Sequence, residues 1–170
     1  MLSEEEVYNG AKRILKNNNY TLLAGQPPRG VDHLPVVEIK SGTNKEKGSK
    51  DSFKPDLIAY KDNMLLIIEC KPNFSNSDLQ KLHEVLNSQS RLLAFYNELS
   101  ERGLLNKINK DIKFDEFKKI VFGSLAYSSS PLSNNTILES SNSYSTNETD
   151  NKIYHIIVNS WLGDGYIIEP

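Results

Sequence analysis

The chain has 170 residues, the length of one ordinary domain, and its 38% of hydrophobic residues arrive in dense runs rather than singly. Twenty Lys and Arg against 22 Asp and Glu leave a net charge of −2, which excludes a globally basic nucleic-acid coat. No run nears the roughly 18–20 apolar residues of a membrane span, and a lone Cys70 excludes an internal disulfide framework or a cysteine-based zinc site.

The N-terminus, Met1-Leu2-Ser3-Glu4-Glu5-Glu6, is acidic and lacks the basic-then-apolar layout of a secretion signal, so a soluble, cytoplasmic chain is expected. Ser3 suits an N-cap, the glutamates after it suit the positive end of a helix dipole, and Val7, Ala11, Ile14 and Leu15 recur at helical spacing up to Asn17-Asn18-Asn19. Residues 20–24 predict a short strand closed by Gly25, and residues 34–39 a second strand that starts at Pro35 as an edge strand would. A polar loop over 41–52 precedes two stronger strands, 56–61 and 64–69. The second is apolar on both faces and belongs in the middle of a sheet. One long helix is expected from Asp78 to about Arg102, closed by Gly103, then a strand over 118–127 centred on Ile120-Val121-Phe122. The Ser/Asn-rich stretch at about 128–151 reads as a flexible loop, residues 153–158 as the final strand, and Tyr166-Ile167-Ile168 as strand-like. The order predicts an α/β fold over residues 1–170, a central mixed β-sheet flanked by helices.

Asp62-Asn63 can make a two-residue hairpin turn, because both residue types tolerate left-handed backbone angles. In that register Lys61 faces Met64 and Asp56 faces Glu69, with Cβ atoms about 4.5–5.5 Å apart. Lys71, two residues on, shares the face of Glu69, while Cys70 points to the opposite side. Opposed carboxylates repel unless something lies between them. A divalent cation with open positions for water and phosphate, Mg²⁺ or Mn²⁺, resolves the conflict through hard oxygen ligands.

Pro55-Asp56, twelve residues, then Glu69-Cys70-Lys71 after an apolar strand resembles the PD-(D/E)xK nuclease superfamily, with its restriction-endonuclease-like fold. The resemblance covers roughly residues 3–127. It implies Asp56 and Glu69 as metal ligands and Lys71 as the catalytic lysine of a Mg²⁺- or Mn²⁺-dependent endonuclease. Many members add a glutamate from the first helix. Glu4 lies within about 40° of the centre of that helix's apolar face and is the candidate here. Several carry a glutamine on the helix after the lysine, a place that Gln80 occupies. A second triplet, Glu38-Ile39-Lys40, lacks the Pro-Asp hairpin and is set aside.

Lys40, Lys45, Lys47, Lys50 and Lys54 against Glu46 and Asp51 give the 40–54 segment a local charge of +3. It leads into Pro55-Asp56, so Lys45, Lys47, Lys50 and Lys54 are candidates for contact with a phosphate backbone. The expected partner is nucleic acid, with DNA the leading substrate, and the chain would act as a homodimer or as a subunit of a larger complex. The alternatives are a ribonuclease of the same fold and a non-catalytic nucleic-acid-binding or assembly module that keeps the fold.

Overall fold

The computed structural model describes residues 1–40, 52–128 and 150–170. Helix α1 (Glu4–Asn17) begins in a full capping box. The Ser3 hydroxyl accepts from the Glu6 amide, and the Glu6 carboxylate accepts from the Ser3 amide. Strand β1 (Thr21–Gly25) pairs antiparallel with β2 (Leu57–Lys61), which pairs antiparallel with β3 (Met64–Lys71). Asp62 and Asn63 both take positive φ at the expected hairpin turn, and the register runs from Lys61 opposite Met64 to Leu57 opposite Ile68.

Helices α2 (Asn76–Leu86), α3 (Gln89–Glu101) and α4 (Phe114–Ile120) follow, and then β4 (Val121–Ser128) lies parallel to β3. Strand β5 (Ile153–Val158) is parallel to β4, and β6 (Gly165–Ile168) closes the sheet antiparallel to β5. The result is an α/β fold with one six-stranded mixed sheet in the order β1-β2-β3-β4-β5-β6, flanked by helices. Leu57, Ala59, Leu66, Ile68 and Cys70 face the apolar side of α1, while Ile58, Leu65 and Ile67 pack with Leu82, Phe95 and Phe117 from the other helices. Strand β3 is buried on both sides, which is why its sequence is continuously apolar. Among the described residues no helix is long and apolar enough to cross a membrane.

The structure corrects four of the expected elements. Residues 34–39 form no strand: Ile39 makes one isolated bridge to Phe53, and the Pro35 carbonyl accepts from the Gly25 amide. Val37 and Ile39 are buried all the same, so their apolar character reports burial and not a ladder. The expected helix over 78–102 is two helices, because the Ser88 hydroxyl takes the Arg91 amide and caps a new one. The expected strand over 118–127 begins only at Val121, after α4 has buried Phe117 against Phe95 and Tyr96. The last strand is β6, not 153–158. Gly103 does end α3, in the left-handed conformation (φ 70°) that glycine reaches without strain. Nearly all of the loops expected over 41–52 and 128–151 lies outside the described residues.

Candidate active site

The ladder between β2 and β3 stops at Leu57 opposite Ile68, one residue short of the carboxylates. There the Asp56 side chain takes over from the backbone: its Oδ2 accepts the Cys70 amide at 2.7 Å, while its own carbonyl accepts from Gln26. Asp56 is thus fixed at the mouth of the hairpin by the strand that carries Glu69. Glu69 is only 6% exposed, and its Oε1 is buried without a hydrogen-bond partner.

Burial raises the pKa of both carboxyls, Asp56 to about 6 and Glu69 to about 8. The charges around them push in both directions. The Cys70 amide and Lys71 hold Asp56 down while Glu4 and Asp78 raise it further. Asp56 and Asp78 raise Glu69 while Lys81 and Lys71 oppose them.

Lys71 has the side-chain parity of Glu69, yet its Nζ donates to Glu4 Oε1 at 3.0 Å, on the helix of the opposite face. β3 ends at Lys71, so its long side chain can bend around the end of the sheet. Burial would lower the Lys71 pKa, but the Glu4 hydrogen bond, with the charges of Asp78 and Asp56, leaves it raised. The group stands as an ammonium.

Glu4, Asp56, Glu69 and Lys71 therefore meet at one end of the sheet. Gln80 does not join them. It is exposed, on the side of α2 turned away from Asp78, and its amide donates to Glu84 at 3.4 Å. Lys54 is exposed next to buried Pro55; Lys45, Lys47 and Lys50 lie outside the described residues.

Asp78 and Lys81 were missed from sequence. Asp78 is 3% exposed in the first turn of α2 and accepts from Lys81 Nζ at 2.8 Å. Although burial raises its pKa, its bonds from Lys81 and Ser75 lower it overall, so it stays ionised. A signal was present: Ser75 caps α2 and Asp78 follows three residues later, in phase with buried Leu82 and Val85. Behind the site, Tyr8 and Lys12 of α1 both donate to Asp32, whose 8% exposed carboxylate is also paired with His33, so the segment after β1 is tied to α1.

Four carboxyl groups (Glu4, Asp56, Glu69 and Asp78) thus stand near two ammonium groups (Lys71 and Lys81); fully ionised they would carry an excess of two negative charges, which the raised pKa values of Glu69 and Asp56 relieve by protonation. None of the family models, curated proteins or solved structures compared with the chain matches it.

Proposed function

We propose that the chain is a divalent-metal-dependent nuclease that hydrolyses phosphodiester bonds of nucleic acid, with DNA as the leading substrate. The observation that carries this reading is the pair Asp56 and Glu69 at the mouth of one hairpin, the first half-buried and the second buried, with an orphaned Glu69 oxygen between unfavourable charges. The succession of helix, three antiparallel strands, helices and a strand parallel to the third supports a restriction-endonuclease-like fold, as the Pro55-Asp56 and Glu69-Cys70-Lys71 motifs imply.

The residues fit a cation. Asp56 and Glu69 would hold it, Glu69 Oε1 would gain the partner it lacks, and a divalent ion would replace the protons that the raised pKa values of the pair retain. Among the described residues no three His, Cys, Asp or Glu side chains are grouped so as to hold a metal ion, and the proposed protein ligands are therefore the two carboxylates alone. When bound, the ion supplies Lewis-acid polarisation of a phosphoryl oxygen.

The chain's own groups do the rest. The Cys70 amide keeps Asp56 oriented and favours its ionised form. Glu4 holds the Lys71 ammonium beside the carboxylates, where it offers hydrogen bonds to the negative charge that grows on the phosphate during attack. As an ammonium, Lys71 acts by electrostatics and by orienting water, not as a proton acceptor. Asp78 anchors Lys81, a second cation near Glu69.

The test is incubation of the chain with supercoiled DNA, single-stranded DNA and RNA, with Mg²⁺ or Mn²⁺ and with chelator. Cleavage of DNA that chelator abolishes is expected. Cleavage of RNA alone moves the substrate class to RNA, and no cleavage of any of the three with metal present overturns the nuclease reading.

A further inference from the structure

The end of the sheet far from the carboxylates holds a cleft of about 650 Å³, with Leu86, Leu92, Asp115, Lys118, Lys119 and Lys152 in its lining. Its position follows from strand direction. Lys118 and Lys119 precede β4 and Lys152 precedes β5, and both strands run parallel to β3. The cleft therefore sits at the Leu65 end of β3, six residues from Lys71, or ~20 Å at about 3.3 Å per strand residue.

Three ammonium groups face one carboxylate there. Lys118 pairs with Asp115 at 3.3 Å, but the Asp115 side chain is 90% exposed, so water weakens that pair. Lys152 is half-buried: its Nζ donates to the Lys118 carbonyl at 3.3 Å and lies 5.6 Å from the centre of the Phe122 ring. Burial lowers its pKa, the sign of a cation short of an anionic partner. Among the described residues no carboxylate pairs with Lys119 or Lys152. Leu86 and Leu92 supply apolar surface beside these cations, and Gln89, in the first turn of α3, also lines the cleft.

We propose that this cleft is a second, non-catalytic binding site for a phosphate group carried by a nucleotide or a nucleic-acid strand. A phosphate offers oxygen acceptors in several directions, which ammonium groups from two separate elements can share. Its sugar or base would rest on Leu86 and Leu92. A simple carboxylate ligand would bring one negative charge to an excess of two positive ones, whereas the monoester phosphate of a nucleotide brings about two and a strand brings one from each of two neighbouring phosphodiesters. The proposal is independent of the nuclease reading, because no group of the carboxylate cluster takes part in it.

The test uses the full chain in chelator with two probes, AMP followed by calorimetry and a labelled single-stranded oligonucleotide followed by anisotropy. The variants are Lys119→Glu, which is exposed and will not disturb the core, and Lys152→Met, which keeps the packing of the stem. Each is expected to weaken the probe that binds by at least about tenfold. For the oligonucleotide the log–log salt slope should also fall, by about 0.7 per lost phosphate contact. Binding of AMP with displacement of the oligonucleotide assigns the cleft to free nucleotides, and binding of the oligonucleotide alone assigns it to strands. If neither probe binds, or if both variants leave affinity and slope unchanged, the proposal is overturned, whatever the cleavage assay shows.

Discussion

At one end of the sheet, four carboxylates and two ammonium groups sit in or at the edge of the core; at the other, three ammonium groups and one carboxylate line an open cleft. The two ends differ in the sign of their charge and in their environments. Glu69 and Asp78 are almost wholly buried on β3 and α2, whereas Lys119 is exposed on the last turn of α4. Two like charges 4 Å apart repel by about 1 kcal/mol in water and about 4 kcal/mol at the effective dielectric of a protein boundary. The acidic end therefore holds an electrostatic conflict that the fold must maintain, and an ion or protons must relieve it. The basic end is screened by water and can be rebuilt one lysine at a time.

The largest effect is expected for Lys71→Ala at the acidic end. A group that stabilises charge in the transition state should cost at least roughly a hundredfold in cleavage rate when removed, with apparent substrate affinity nearly intact. Steady-state kinetics measure both, and an effect confined to affinity would place Lys71 with the binding lysines instead.

Next in size is metal binding. Calorimetric titration with Mn²⁺ should show a site that weakens at least about tenfold in Asp56→Ala and again in Glu69→Ala. Equal Mn²⁺ affinity in wild type and both variants would remove the metal from this hairpin.

Smaller still is the dependence of stability on pH. Asp56 and Glu69 have folded-state pKa values above those of free carboxyls, so between about pH 4 and 8 the folded state binds more protons than the unfolded one. Stability from these groups is present at the acidic side of that window and is lost as pH rises through it, the reverse of a salt-bridged carboxylate. The melting temperature of metal-free protein should fall from pH 5 to pH 8, and Asp56→Asn or Glu69→Gln should flatten the slope. A slope unchanged in both variants would show that burial does not load the pair. Asp32, held down to about 2 by Lys12 and Tyr8 against the effect of burial, acts only below this window.

The smallest effect belongs to Glu4→Gln. Its ion pair with Lys71 has about a third of each side chain exposed, so its loss should cost roughly 0–1 kcal/mol. That shifts melting by about 2–4 °C at most. A larger shift in a thermal scan would mean that Glu4 is part of the core and not of its rim.

The amino-acid sequence by itself determined the hairpin and what it carries. Asp62-Asn63 can take the left-handed angles of a tight turn, the turn sets the register, and the register brings Asp56 towards Glu69 and sends Cys70 into the α1 face. Local chemistry also sufficed for α1, whose cap, acidic first turn and apolar stripe agree. Tertiary structure decided whatever depends on what lies across the sheet. Val37 and Ile39 are apolar because they are buried in the core, not because they belong to a strand: Ile39 makes a single bridge to Phe53. The late start of β4 at Val121 follows from the packing of α4 against α3, which periodicity within one segment does not reveal, whereas the break at Ser88 is a local cap that the apolar pattern alone passes over. The Lys71 bond to Glu4, the approach of Asp78 to the carboxylates, the outward turn of Gln80 and the lysine cleft all join residues far apart in the chain. Residue types and spacing specify local backbone geometry. Which distant charges share a low-dielectric neighbourhood is set only when the helices close over the sheet.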